Sequence, residues 1–157
     1  METVSALGTG KVYAIIMAVS YNIVPKYACL YLWCGIVFAN YTMNQLKSLY
    51  GEPRPYWVSD QIEANHCGTG FGNPSGHMLN NCFFWVTAYL HFFNGRRSNQ
   101  QDERSLSRSP LFKFIILISM GAFLALMALS RVYLGAHTLN EVLHGTLIGS
   151  TMAIIGH

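Results

Sequence analysis

From Leu111 to Leu129 the chain carries a single charge, Lys113, placed near one end where its stem can reach back to an aqueous boundary. No polar face survives in that stretch at any helical phase, so it suits lipid on all sides. Four more apolar runs can be read at Val12–Val24, Tyr27–Met43, His77–Phe93 and Val142–Gly156. The first is short and interrupted by Ser20 and Asn22, whereas Tyr27–Met43 holds no charge at all. A membrane span needs about 20 apolar residues, fewer where flanking side chains help. Val142–Gly156 stops short of that at the chain end, so truncation within a helix is expected at one or both ends. The expected fold is all-α: a multi-pass transmembrane helical bundle of about five apolar segments, forming one membrane-embedded domain over residues 1–157.

A soluble helical bundle is the competing reading, because buried helices can also be apolar all round. With 52% apolar and 11% charged residues, the chain is too poor in charge to cover a small soluble surface. A net charge of +3, without a basic face interleaved with aromatics, also argues against nucleic acid as a partner. Cys29, Cys34 and Cys82 fall inside apolar runs and Cys67 in a polar loop, which is no disulfide framework. Met1–Gly10 has no basic n-region and no cleavage pattern follows it, so no removable signal peptide is expected.

Two loops separate the runs. Gly51–Asn73 holds Pro53, Pro55, Gly68, Gly70 and Gly72, too many breakers for a continuous helix. Asn94–Pro110 is polar and basic, with Arg96, Arg97, Arg104 and Arg108 against Asp102 and Glu103. Three short strings stand at the ends of the runs: Lys47-x6-Arg54-Pro55, Pro74-Ser75-Gly76-His77 and Ser130-Arg131-x5-His137. Counting crossings puts all three on one face and the arginine-rich loop on the other. Since positive charge concentrates in the cytoplasm, the strings are expected on the extracytoplasmic or lumenal face.

Each string has a chemical reading and a plain one. Ser75 fits an N-cap, so the N–H groups of Gly76 and His77 would favour an anion, though a simple capped helix start explains the string as well. Lys47 is expected in the last turn of a helix that Gly51 stops, and Pro53-Arg54-Pro55 in an extended segment. The two cations would then converge on one point, as they would also do as ordinary interfacial anchors. Glu141 lies four residues after His137, so its carboxylate can accept from one ring nitrogen and leave the other able to attack. A surface His–Glu pair has the same spacing.

Taken in order, the strings resemble those of the membrane-bound type 2 phosphatidic acid phosphatase superfamily, which also contains the vanadium haloperoxidases. The resemblance covers the chain from about Tyr27 to the end. It implies that His137 attacks phosphorus to form a phosphohistidine, and that His77 protonates the departing oxygen and then activates water. It further implies that Lys47, Arg54 and Arg131, with Ser75 and the Gly76 N–H, hold the non-bridging oxygens. The implied activity is a phosphomonoesterase with no metal and no cofactor, whose partners are a lipid phosphate and membrane lipids. The family usually carries Asp where this chain has Glu141, so a non-catalytic relative is one alternative. Arg54-Pro55-Tyr56-Trp57, Cys67 and Gly70-x-Gly72-x-Pro74-Ser75-Gly76-His77 are similar to the glucose-6-phosphatase branch, which makes a sugar phosphatase the other.

Several weaker signals are set aside. Glu141-x-x-His144 has metal-pair spacing, but no second copy accompanies it. Gly68-x-Gly70-x-Gly72 lacks the surrounding strand–helix–strand pattern of a dinucleotide site. Asn40-Tyr41-Thr42 matches the glycosylation triplet but lies within an expected span. Tyr56, Trp57, Phe71, Phe83 and Phe84 are expected either at a lipid-side entrance or in an interfacial aromatic belt.

Overall fold

A computed structural model describes residues 1–22, 25–62, 70–94 and 109–157. Cys67, Gly68 and the basic stretch from Arg96 to Arg108 lie outside the described residues. The described elements are helices α1 (Glu2–Leu7), α2 (Gly10–Ser20), α3 (Lys26–Tyr50), α4 (Pro55–Val58), α5 (Gly76–Asn94), α6 (Pro110–Tyr133) and α7 (Leu139–Gly156). Each of the five apolar runs overlaps one of the longer helices, the first run up to Ser20, with its Ile23 and Val24 outside the described residues. Among the described residues, one helix, α6, is both long and apolar enough to cross a membrane. At 24 residues it is about 36 Å long.

Exposure separates a lipid-facing helix from a core helix. Only 6% of the apolar window of α6 is buried, and Leu111, Phe114, Ile118 and Leu129 are all more than half exposed. A soluble protein does not present so continuous an apolar face to water. The α6 surface turns inward only near its end, at Met127, Ser130 and Arg131. Ser109 caps its start, accepting from the Phe112 N–H at 3.3 Å, and Pro110 occupies the first turn, where no N–H is needed.

The centre of the bundle is α5, which feeds three clusters. Phe84 joins Tyr13, Met17 and Leu32; Leu79 and Phe83 join Ala39 and Ala153; Met78 and Cys82 join Met127 and Val142. A helix that is apolar on every side is thereby covered on every side. Phe83 and Phe84 accordingly belong to the core rather than to an entrance: both are under 7% exposed. Tyr56, Trp57 and Phe71 instead form a chain of edge-on ring contacts at 6.1 and 6.2 Å, with Trp57 and Phe71 exposed.

The tightest contact is between α5 and α7. Gly145, Gly149 and the fully buried Ala153 lie four residues apart on one face of α7, which brings its backbone against α5. A Cβ at Gly149 would stand 2.2 Å from the Leu79 carbonyl oxygen, and one at Gly145 would stand 2.6 Å from that of Ser75. Backbone cannot swing aside as a side chain does. Gly149→Ala is therefore expected to cost about 1–3 kcal/mol by forcing the helices apart, read as a lowered unfolding temperature in detergent.

Two local expectations need correction. Pro53-Arg54-Pro55 is extended only as far as Arg54 (φ −73°, ψ 154°), because Pro55 opens the helical turn α4. Ser75 does occupy the residue before α5, but its hydroxyl is buried without a hydrogen-bond partner and makes no cap bond. Gly51 ends α3 as its sequence suggests, in the left-handed region at φ +61°, with its N–H donating to the Lys47 carbonyl at 3.0 Å.

Candidate active site

Six segments meet at one end of the bundle around a cleft of about 440 Å³. Lys47 arrives from the last turn of α3, Arg54 from the extended segment, Gly76 and His77 from the start of α5, Arg131 from the last turn of α6 and His137 from the α6–α7 loop. The sixth segment, Ser5–Gly10, forms the joint between α1 and α2. Of the sequence-predicted residues, Lys47, Arg54, Gly76, His77, Arg131 and His137 line this cleft. Ser75 and Glu141 stand behind them, both buried.

Glu141 holds His137. Its Oε2 accepts from His137 Nδ1 at 2.7 Å and from the Thr138 N–H at 3.4 Å, while the Thr138 hydroxyl accepts from the Glu141 N–H at 3.3 Å. Thr138 and Glu141 thus form a capping box that starts α7 and fixes the carboxylate. Gly72 makes room for the longer acid, since a Cβ there would stand 2.5 Å from Glu141 Oε1. With Nδ1 donating to the carboxylate, Nε2 carries the lone pair. Burial lowers the His137 pKa. The bond to Glu141 opposes that shift, and the Arg131 and Arg54 charges reinforce it. The net direction is downward, which keeps the imidazole neutral near pH 7.

The two arginines are anchored by other parts of the chain. Arg54 Nε donates to the Gly70 carbonyl at 2.6 Å and Nη1 to the Ala136 carbonyl at 3.2 Å, with the side chain 5% exposed. These two bonds use part of a fork of five N–H donors. Arg131 Nη1 donates to the Ser5 hydroxyl, and its Nε is buried with no partner. Among the described residues, Glu141 is the carboxylate set near Lys47, Arg54 and Arg131, so positive charge is in excess in a partly buried space. That is costly unless a dianion joins them.

The loop before α5 is tied at both ends. The Gly72 N–H donates to the Glu52 carbonyl at 2.8 Å and the Ser75 N–H to the Glu141 carbonyl at 3.0 Å. His144 pairs with Asn73 Oδ1 at 2.9 Å and stacks beside Tyr50 at 5.2 Å between ring centres, so it braces this loop from α7. Sequence reasoning missed Ser5 and Asn80 as cleft residues. Asn80 follows His77 by one turn and was open to a helical-spacing argument. No local pattern marks Ser5, whose place depends on α1 packing against the end of α6.

A sequence model of the PAP2 superfamily matches residues 28–157. The chain belongs to the PAP2 superfamily. Among its relatives, dolichyldiphosphatase 1 of Plecturocebus moloch is 30% identical over 149 residues, 94% of this chain and 60% of that protein. Glucose-6-phosphatase catalytic subunit 1 of Rattus norvegicus is 28% identical over 138 residues, 78% of this chain and 37% of that protein. The chain thus spans less than two thirds of the length of either relative. The transmembrane PAP2-type phosphatidylglycerolphosphate phosphatase from Bacillus subtilis superimposes with a TM-score of 0.78 at 21% identity, covering 99% of this chain and 72% of that one. Aquifex aeolicus LpxE superimposes with a TM-score of 0.72 at 20% identity, over 99% of this chain and 81% of that one. These two likenesses establish the all-helical PAP2 fold. The wall made by Ser5–Gly10 lies before the first residue of the matched PAP2 segment.

Proposed function

We propose that this PAP2 protein is a metal-independent phosphomonoesterase that hydrolyses a lipid phosphate through a phosphohistidine. The observation that carries the proposal is the common cleft: Lys47, Arg54, His77, Arg131 and His137 all line one space with a surplus of positive charge. A phosphomonoester dianion matches that surplus. His137 Nε2 attacks phosphorus as the ester P–O bond breaks, and His77 delivers a proton to the leaving oxygen. His77 then takes a proton from water, whose oxygen attacks the phosphohistidine, and inorganic phosphate departs as the P–N bond breaks. Phosphoryl transfer has a loose transition state with charge spread over three oxygens, so fixed cations and N–H groups lower the barrier electrostatically. Glu141 acts as the positioning carboxylate in place of Asp, and its 2.7 Å bond to His137 favours catalysis over the non-catalytic alternative.

In this reading residues 1–157 form one membrane-embedded domain, with α2, α3, α5, α6 and α7 as its spanning segments. The cleft opens on the extracytoplasmic or lumenal face. A sugar phosphatase is the second reading, favoured by the glucose-6-phosphatase relative. Phosphate release from a panel of lipid and sugar phosphates, with EDTA present throughout, tests both. Lipid phosphates are expected to turn over undiminished by the chelator. Activity lost to EDTA and restored by a divalent ion would refute metal independence. A preference for sugar phosphates without detergent would move the assignment to the second reading.

A further inference from the structure

The Glu141-x-x-His144 spacing on α7 serves two different partners. Glu141 turns to His137, and His144, one turn further on, turns to Asn73 in the loop that leads into α5. An amide oxygen can only accept, so His144 Nδ1 donates to Asn73 Oδ1, at 2.9 Å. Asn73 is buried. The His144 ring also lies 5.2 Å from that of Tyr50, the last residue of α3 and one turn beyond Lys47. From α7, one side chain thus touches both the loop before α5 and the end of α3.

We infer that His144 is a positioning residue for the phosphoryl transfer, acting through Asn73 on the loop that carries the Gly76 N–H, His77 and the carbonyl that aims Arg54. The inference rests on the phosphatase reading. Three observations carry it. The first is what the loop holds. The carbonyl of Gly70, three residues before Asn73, accepts from Arg54 Nε at 2.6 Å, and Gly76 and His77 follow Asn73 by three and four residues. A shift at Asn73 therefore reaches a cation on one side, and an N–H donor and the proposed acid on the other. The second is how the loop is held. The Gly72 N–H donates to the Glu52 carbonyl and the Ser75 N–H to the Glu141 carbonyl, both main chain to main chain. The bond from His144 is the side-chain tie between them.

The third observation is burial. Without its donor, Asn73 Oδ1 becomes a buried acceptor with no partner, a state the loop relieves by moving. A Cβ at Gly145 would stand 2.6 Å from the Ser75 carbonyl oxygen, so the loop is already hard against α7 and can only move away from it. That motion carries the Gly76 N–H and the Arg54 anchor off the phosphate oxygens they are proposed to hold.

Two substitutions at one position separate the hydrogen bond from the ring contact. His144→Phe keeps a ring beside Tyr50 and loses the donor. His144→Asn loses the ring and keeps an amide N–H close to the place of the imidazole Nδ1–H. With dioctanoyl phosphatidic acid in detergent micelles as substrate, His144→Phe is expected to lower kcat about tenfold and raise KM about threefold, within the roughly 10²-fold that a misplacement of about 1 Å can cost. His144→Asn is expected to stay within about threefold of the wild-type kcat. Asn73→Ala removes the acceptor and is expected to match His144→Phe, and the double variant to be no slower than either alone. The inference is overturned by an Asn variant as slow as the Phe variant or slower, by additive losses in the double variant, or by lowered unfolding temperatures with wild-type kcat. Equilibrium dialysis of inorganic phosphate against the same proteins needs no turnover. Its Kd is expected to rise about threefold in His144→Phe and Asn73→Ala and to hold in His144→Asn. If the wild type releases no phosphate from any ester, the phosphatase reading falls and the phosphate Kd decides alone. Equal values in wild type and His144→Phe would then sink the positioning role as well.

Discussion

His137→Ala is expected to reduce phosphate release from a lipid phosphate by on the order of 10⁴-fold or more, while binding of inorganic phosphate survives. The side chain proposed to attack phosphorus is the one removed, and a lost nucleophile is not replaced by its neighbours. The three cations proposed to hold the phosphate group arise from other elements and stay in place. A pH profile adds an independent reading of the same residue. His137 must be neutral to attack, and burial depresses its pKa below the usual 6.5. Activity is therefore retained at neutral pH and lost only as pH falls through that depressed value. Substrate ionisation also titrates near pH 6, so a second variant is needed to assign the limb. Glu141 raises the His137 pKa through its hydrogen bond and charge. Glu141→Gln is thus expected to move the acid limb of kcat/KM to lower pH while lowering the rate, a shift that substrate ionisation cannot produce. An unmoved limb would separate His137 from that titration.

Arg131→Lys is expected to lower kcat/KM by about 10²–10³-fold, nearly as much as Arg131→Ala. Removal of one preorganised donor at a developing oxyanion costs about that much. A lysine keeps the charge but gathers its three N–H donors on one nitrogen, so it loses the planar fork that holds the Ser5 hydroxyl from one nitrogen and leaves others directed elsewhere. Inhibition by inorganic phosphate reads the ground-state part of the loss, through a raised inhibition constant, and kcat reads the remainder. Ser5→Ala is expected to reproduce a small part of the effect, a few-fold in kcat/KM, since it frees Arg131 without deleting it. Full activity in Arg131→Lys would show that charge alone serves at this position.

The five long helices were legible because hydrophobic content over many residues outweighs local detail. The end of α3 was legible as well: the apolar run stops at Met43, but Gly51 marked the stop and put Lys47 in the last turn, where the helix does end. The short helices α1 and α4 carry too few residues for any period to register. Phe83 and Phe84 illustrate a different limit. An aromatic side chain suits an interface and a core equally, and only the position of α5 at the centre decides between them. The site residues stood in strings with fixed spacing, and counting crossings was enough to place the strings at one end. The place of Ser5 was invisible, because it depends on which helix lies beside which.

The closeness of α7 to α5 reaches beyond stability. Gly145 meets the Ser75 backbone, and Gly149 that of Leu79. The helix that opens with the Thr138–Glu141 box is therefore keyed to the helix that opens with His77. Two hydrogen atoms, standing where methyl groups would otherwise be, act as the gauge blocks that space the two imidazoles. A methyl added two turns below the pocket would leave every reacting group present and throw their alignment out.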